Sequence, residues 1–281
     1  MKLNFSPVLV WLLTGWLTIL PAQAQTSAPI RLGIMPFNSA LALIKTHQPL
    51  RQHLENRLQR KVEIFTSADY YTFINELLDG QYDLAIAGPH FGTMAAARGW
   101  EPLVRYQVDL QPVFVVANSS SISKLADLRG KRIGLSSRLS ISSIGGVKWL
   151  NDQGLQLSKD YQLFERTTHG AAVAAVTVGE LDAALTTHTP LKQVPEDIRA
   201  KVRTLPLDVR VPHLMTLAHA RLGTRTIAQV REALLAFAAT EEGREFFKST
   251  GYEGYRAISS KDMADMKPFV DLTVQMMKSG Q

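Results

Sequence analysis

The residues from Ser136 to Gly146, SSRLSISSIGG, combine five serines with two glycines. They follow an apolar run and precede a helix-like pattern, which predicts a loop that leads from a strand into a helix. Such a loop offers an anion both hydroxyl donors and backbone N–H groups, because the first N–H groups of a helix lack partners and the helix dipole is positive there. An ordinary turn with a helix cap accounts for one serine but poorly for five. The loop therefore predicts an oxyanion site.

The segments that must position this loop alternate between strands and helices. Before it, the pattern predicts strands at IRLGIMPF, KVEIFTS and YDLAIAG, separated by helices at PLRQHLENRLQR and DYYTFINELLDG. From PVFVVANSSS onward, it predicts strands at KRIGL, YQLFERT and LDAALTT, separated by a helix that runs from the serine loop to about Asn151 and a helix at GAAVAAVTVG. Strands separated by single helices are typical of parallel βαβ units, so the predicted fold class is α/β.

Two segments of the chain resemble one another: GQYDLAIAGP, from Gly80 to Pro89, and GELDAALTTH, from Gly179 to His188. We call them the first and the second repeat. Each has a glycine that ends a helix, then an aspartate and an apolar strand. We expect Asp83 and Asp182 to bond local backbone rather than a ligand.

The repeats predict two lobes with a cleft between them. Lobe 1 comprises residues 25–112 and 214–281, and lobe 2 comprises residues 113–213. Two crossover segments join the lobes, and the chain is predicted to be helical at 224–238, 241–249 and 261–278 after the second crossover.

The first 24 residues have the pattern of a cleaved secretory signal: Lys2, an apolar stretch from Val8 to Leu20, and Ala22-Gln23-Ala24 at the cleavage site. An uncleaved membrane anchor is the alternative, and the apolar core is short for a span. The chain contains no cysteine, which excludes disulfides, thiolate catalysis and an acylated cysteine at the mature N-terminus. An exported chain of this kind is predicted to reside in the periplasm.

The formal net charge is +6, carried by basic residues that are scattered rather than clustered. Nucleic acid is therefore a poor candidate partner, whereas a small anion and an acidic membrane surface suit the charge equally well. No segment after the signal approaches the ~20 apolar residues of a membrane helix, so we predict no span in the mature chain. No cofactor is predicted.

Three stretches carry a resemblance to a known family: SADYYTFINELLDGQYDLAIAGP, LADLRGKRIGLSSRLSISS and THGAAVAAVTVGELDAAL. In this order and spacing they resemble the periplasmic phosphonate/phosphite/phosphate-binding proteins of ABC transporters, the PhnD-like group, over nearly the whole mature chain. The resemblance implies a type II periplasmic binding fold, whose two α/β lobes are joined by two crossover segments and close over an oxyanion in the cleft.

The resemblance also implies site residues. A tyrosine at the start of the first lobe's helix matches Tyr70, a Ser-Thr-Ser-Gly loop that grips the phosphonate oxygens matches Ser140-Ile141-Ser142-Ser143, and a later histidine matches His169. Thr186, Thr187 and His188, where the strand of the second repeat ends, are further ligand-binding candidates, because ligands gather at the carboxyl ends of parallel strands.

The chain departs from the family pattern in three places. Ile141 stands where the family has its central threonine, and Ser137-Arg138 replaces the Asp-Pro pair before the serine loop. The tyrosine that usually follows the Gly-Pro pair is absent, and we count His90, which stands in that neighbourhood, among the ligand-binding residues.

The predicted function is capture of a small oxyanion (phosphate, phosphite, a phosphonate or an analogue) and its delivery to an ABC permease in the inner membrane. Presentation of the ligand to a sensor kinase is one alternative. An enzyme is disfavoured, since the S-x-x-K match at Ser121–Lys124 lacks its S-D-N and K-T-G companions. Metal binding is a further alternative, although the seven histidines include no helical i, i+4 pair.

Overall fold

The computed structural model describes Met1 and residues 28–279. Apart from Met1, the predicted signal peptide, residues 1–24, lies outside the described residues. Within the described part of the chain, no helix is both long enough and apolar enough to cross a lipid bilayer.

A six-stranded sheet forms the centre of the first of two α/β units, which we call lobe 1. Its parallel part has β1 (Ile30–Ile34) between β2 (Val62–Phe65) and β3 (Leu84–Ala87). β10 (Met215–His219) joins the free edge of β3 in antiparallel orientation, followed by β4 (Trp100–Tyr106) and β11 (Tyr255–Arg256).

Lobe 2 is built on a five-stranded sheet with the same plan. β6 (Lys131–Leu135) lies between its parallel neighbours β7 (Tyr161–Glu165) and β8 (Ala183–Thr187). β5 (Pro112–Ala117) pairs with β8 in antiparallel orientation, and β9 (Val202–Pro206) completes the sheet. In each sheet, the first strand after the chain enters from the other lobe, β10 in lobe 1 and β5 in lobe 2, thus runs antiparallel to its neighbours on both sides.

Helices cover both sheets. Lobe 1 carries α1 (Ala40–Leu58), α2 (Tyr70–Leu78), α3 (Pro89–Ala96), α8 (Gly223–Phe237), α9 (Glu241–Thr250) and α10 (Ser260–Asp265). Lobe 2 carries α4 (Ile141–Asp152), α5 (His169–Thr177), α6 (His188–Lys192) and α7 (Glu196–Arg199). The last helix, α11 (Lys267–Ser279), packs against α3 of lobe 1 and α4 of lobe 2 and so spans the two lobes.

The chain crosses between the sheets twice, from β4 to β5 and from β9 to β10. The two crossovers lie side by side, since Leu110 N donates to Val211 O at 2.8 Å and Val211 N donates to Leu110 O at 3.1 Å. Arg105, which is buried before the first crossover, pairs with Asp109 at 2.8 Å and Asp262 at 3.2 Å. The residue numbers given above as lobe boundaries stay a prediction.

The helices differ from the sequence expectations in three ways. The pattern predicts a helix start at Pro49, yet α1 begins at Ala40, where the Ser39 hydroxyl accepts from Ala42 N at 3.3 Å. The short helices α3, α6 and α7 are not predicted. The final predicted helix is divided at Met266 into α10 and α11.

Candidate functional site

The serine loop places its hydroxyls at the N-terminus of α4. Ser140 is the N-cap: its Oγ accepts from Ser143 N at 3.2 Å and lies 3.0 Å from Ser142 Oγ and 2.7 Å from Ser143 Oγ. All three serines are buried. One serine therefore has the ordinary capping role, and the other two add hydroxyls to the same helix end.

A cavity of about 30 Å³ lies between the lobes at this helix end. This is room for about two water-sized groups. Six predicted site residues line the cavity: Tyr70, Ser140, Ile141, Ser142, His169 and Thr187. The other lining residues are Met35, Phe37, Leu110, Thr189, Pro190, His213, Leu214 and Tyr252. No described residue in this wall is charged at pH 7, since burial lowers the pKa of both lining histidines.

His169 joins both lobes. Its Nε2 lies 3.4 Å from Tyr70 Oη of lobe 1 and 3.2 Å from Ser136 Oγ of lobe 2, while its Nδ1 lies 3.0 Å from Thr186 Oγ1. Burial lowers the pKa of His169 to about 4, so the ring is neutral at pH 7. Burial also raises the pKa of Tyr70, which therefore keeps its hydroxyl proton. Thr186 lies behind the imidazole and not in the cavity wall.

The first residues of three helices line the cavity: Tyr70 of α2, Ile141 of α4 and His169 of α5. Like α4, the other two helices have side-chain caps, Asp69 on α2 and Thr168 on α5, each of which accepts one backbone N–H. The positive ends of three helix dipoles consequently meet around the cavity. This arrangement stabilises an anion without a cationic side chain.

His90 is buried outside the cavity wall. From α3 of lobe 1, its Nε2 donates to the carbonyl oxygen of Leu139 in lobe 2 at 2.9 Å. Burial lowers its pKa to about 4, so this bond is made by the neutral ring. The structure therefore gives His90 a contact that joins the lobes next to the serine loop.

Ser143 also lies outside the wall of the central cavity. It lines a second cavity of about 170 Å³ between α4 and α11, where most other lining groups are apolar. Of the predicted ligand-binding residues, Tyr70, Ser140, Ile141, Ser142, His169 and Thr187 thus come together at one cavity, while His90, Ser143, Thr186 and His188 lie outside its wall.

Sequence reasoning missed Thr189, His213 and Tyr252. Thr189 lies two residues past the end of β8, so extension of the strand-end argument beyond His188 would have found it. His213 belongs to the second crossover and Tyr252 follows α9, so only the tertiary fold brings them to the cavity. Tyr252 Oη accepts from Gln193 Nε2 of lobe 2 at 3.1 Å.

An open groove of about 830 Å³ leads to Tyr70 and Ser136 from the surface. Its sides are residues 68–71 of lobe 1 and residues 136–139 and 165–167 of lobe 2. Within the part of the chain that the structure describes, no group of three or more His, Cys, Asp or Glu side chains could hold a metal ion.

Solved structures with the same fold include several solute-binding proteins. PhnD1 from Prochlorococcus marinus in complex with methylphosphonate superposes with a TM-score of 0.77 at 16% identity, over 88% of this chain and 98% of that chain. A binding protein component of an ABC phosphonate transporter from Pseudomonas aeruginosa gives 0.77 at 15% identity, over 89% and 88%. The alkanesulfonate-binding protein SsuA from Xanthomonas axonopodis pv. citri, bound to MOPS, gives 0.59 at 18% identity, over 90% and 94%.

These likenesses establish the type II periplasmic binding fold, with two α/β lobes, two crossovers and a cleft between the lobes. Residues 32–263 match the family described as ABC transporter, phosphonate, periplasmic substrate-binding protein. This match covers most of the chain and includes the serine loop, His169 and both repeats. The chain therefore belongs to the periplasmic substrate-binding proteins of phosphonate ABC transporters.

Proposed function

We propose that this protein captures a small oxyanion, namely phosphate, phosphite, a compact phosphonate or an analogue, by closure of its two lobes. The proposal rests on one observation above all: the cavity between the lobes is lined by neutral hydrogen-bond donors at three helix N-termini. Hydroxyls turn to fit tetrahedral oxygens, and helix ends supply positive potential without a fixed cation.

The composition of the wall bears on which oxyanion is bound. Among the described lining residues there is no carboxylate. An ammonium group buried in this cavity would therefore have no counter-charge, which is costly in a site closed to water. The lack of a counter-charge favours an oxyanion without an amino group over an aminoalkylphosphonate.

Export and delivery complete the proposal. Residues 1–24 direct the chain across the inner membrane, and the mature chain begins at Gln25, which the intact mass of the protein from a periplasmic extract tests. The family comprises periplasmic substrate-binding proteins of ABC transporters, so the partner is an ABC permease in the inner membrane. Genes for a permease and an ATPase beside the gene for this protein would support this partner, and a sensor-kinase gene there would favour the sensor-kinase alternative.

Ligand binding is tested by calorimetry and thermal shift with inorganic phosphate, phosphite, methylphosphonate and 2-aminoethylphosphonate. A ligand at ~100 times its Kd adds about 2.7 kcal/mol to the folded state, which is a clear rise in Tm. We expect at least one of the first three anions to give this rise and 2-aminoethylphosphonate to give less. If only Zn²⁺ or an uncharged solute raises Tm, the proposed function is wrong.

The serine loop offers a matched pair of variants. Ser142→Ala removes a hydroxyl that lines the cavity, and we expect it to weaken the bound anion by roughly 1.5 to 3 kcal/mol, the range for hydrogen bonds to a charged partner. Ser137→Ala removes a hydroxyl of the same loop that lies in the outer groove and accepts from Leu139 N. The Ser137 variant is expected to bind nearly as the unaltered protein does.

A further inference from the structure

Thr189 and His213 are two of the polar residues in the cavity wall to which neither the serine-loop pattern nor the family resemblance assigns a role. Thr189 is the second residue of α6 in lobe 2, and His213 lies in the second crossover, shortly before β10 of lobe 1. Both are buried, with 1% of their surface exposed. They line the same cavity as Ser142 and His169.

The protonation of the His213 ring is set by its two hydrogen bonds. Leu214 N donates to Nδ1 at 2.8 Å, so Nδ1 must carry a lone pair rather than a proton. In the neutral ring the proton is then on Nε2, which lies 3.0 Å from Thr189 Oγ1. Burial, together with the positive charge of Arg105 among its neighbours, lowers the pKa of His213, which keeps the ring neutral.

The Thr189 hydroxyl is therefore an acceptor in its bond to His213. A hydroxyl has one hydrogen to donate in addition to its acceptor lone pairs. Among the described residues, His213 is the only hydrogen-bond partner of this oxygen. The hydrogen of the Thr189 hydroxyl is thus left to donate to a group inside the cavity, and His213 fixes the direction in which it points.

We propose that Thr189 is an oxyanion-binding residue and that His213 is its positioning residue. The inference rests on the proposed function and extends it. Ser142 and His169 supply donors from α4 and α5, and Thr189 supplies a donor from the start of α6. The bond from His213 orients this third donor.

The test is calorimetric titration of the full mature protein with inorganic phosphate, phosphite and methylphosphonate. Thr189→Val keeps the shape of the side chain and removes the hydroxyl, and we expect its Kd for the anion that the unaltered protein binds to rise roughly 10- to 100-fold. Thr189→Ser keeps the hydroxyl and is expected to bind within about 3-fold of the unaltered protein. Thr250→Val is the matched control, since Thr250 is equally buried but donates to Phe246 O away from the cavity.

His213 is tested by rescue and by coupling. His213→Phe removes the ring N–H and is expected to weaken binding, whereas His213→Gln retains an N–H donor and is expected to restore most of it. In the double variant Thr189→Val/His213→Phe, the loss should be no greater than about 2-fold beyond Thr189→Val alone, because His213 acts through Thr189. The Tm of each unliganded variant checks folding, and Thr189→Ala replaces any Thr189→Val protein that fails to fold.

Two results separate this proposal from the proposed function. If Thr189→Val binds the anion as the unaltered protein does while Ser142→Ala is weakened, Thr189 is a structural residue and the inference is overturned, but oxyanion capture stands. Full additivity of the two losses in the double variant would overturn the positioning role of His213. If the unaltered protein binds none of the three anions, the proposed function fails, and this inference fails with it.

Discussion

The first and second repeats, one in each lobe, share a framework but differ in the residues that come after their strands. Gly80 and Gly179 both have positive φ, 69° and 76°, and both end a helix. Asp83 Oδ2 accepts from Arg31 N at 2.8 Å, and Asp182 Oδ2 accepts from Arg132 N at 2.8 Å. Each aspartate thus bonds the backbone of the middle one of the three parallel strands in its own sheet, the local role that the sequence predicts.

The difference begins where β3 and β8 end. The first repeat runs through Gly88 and Pro89 to His90, whose imidazole donates to Leu139 O in the opposite lobe. The second repeat runs into threonines, of which Thr186 supports His169 and Thr187 lines the cavity. The same framework therefore leads to a contact between the lobes in the first repeat, and in the second repeat to one hydroxyl that supports His169 and one that lines the cavity. The residues at the end of each strand, or just after it, decide which role each repeat has.

Acid should destabilise both sides of the cleft equally. Burial lowers the pKa of His90 and of His169 from 6.5 to about 4. The unfolded chain therefore binds more protons between pH 6.5 and pH 4, so stability falls as pH falls through that window and levels off below it. Each histidine accounts for roughly 3 kcal/mol over the window.

Urea denaturation at several pH values measures this dependence. His90→Gln and His169→Gln should each flatten the pH profile by a similar amount. If only one of the two variants reduces the slope of stability against pH, the two imidazoles are not equivalently buried.

Loss of His169, the imidazole that Thr186 of the second repeat supports, should have the next largest effect. His169→Ala removes a donor at the cavity and leaves Tyr70, Ser136 and Thr186 without their shared partner. We expect anion affinity to fall by about 3 kcal/mol, the upper end for a hydrogen bond to a charged group. Calorimetry gives the Kd, and Thr186→Val should reproduce part of the loss by freeing the ring to turn. Unchanged affinity in both variants would remove His169 from the site.

The shared aspartates should matter to stability and not to binding. Asp83→Ala and Asp182→Ala each leave a strand N–H without its partner, and we expect each to lower the free energy of unfolding by about 1.5 kcal/mol. Chemical denaturation gives this value, and the Kd for the anion should change less than 2-fold. Asp152→Ala is the control, because Asp152 makes an exposed i, i+4 pair with Lys148, a kind of pair that contributes little. A large loss of affinity in one aspartate variant alone would break the equivalence of the repeats.

The smallest effect is expected when the contact across the cleft is removed that His90, the residue after the first repeat, makes with Leu139. His90→Phe removes the bond to Leu139 O, which exists only in the closed state, so affinity should fall by about 1 kcal/mol. His47→Phe is the matched control: His47 is also fully buried, but its Nδ1 bonds Leu43 O within α1, so its loss should lower stability and not affinity.

Small-angle scattering complements the titration of the His90 variant. The radius of gyration of the unaltered protein should decrease when the anion is added, and His90→Phe should need more anion to reach the same radius. An identical response of the two proteins would mean that His90 does not contribute to closure.

The sequence by itself determined the fold class, the two repeats and the serine loop. These features depend on local rules: apolar periodicity, a glycine at a helix end, an aspartate beside a strand, and hydroxyl residues at a helix start. The same rules predict an oxyanion site in the serine loop and the local role of Asp83 and Asp182, whereas the family resemblance implies Ser140–Ser143 as its residues. The start of α1 was missed because Pro49, a typical first-turn residue, lies inside a helix that Ser39 caps.

Only the tertiary structure decided which of the predicted side chains face one another. Ser142 lines the cavity and Ser143 does not, although they are neighbours, because successive residues of a helix point about 100° apart and the packing of α4 selects the face. His90 bonds a carbonyl 49 positions away, and His213 meets Thr189 from a crossover 24 positions further along the chain. Contacts of this kind arise from the packing of two lobes against each other, which no local pattern of residues encodes.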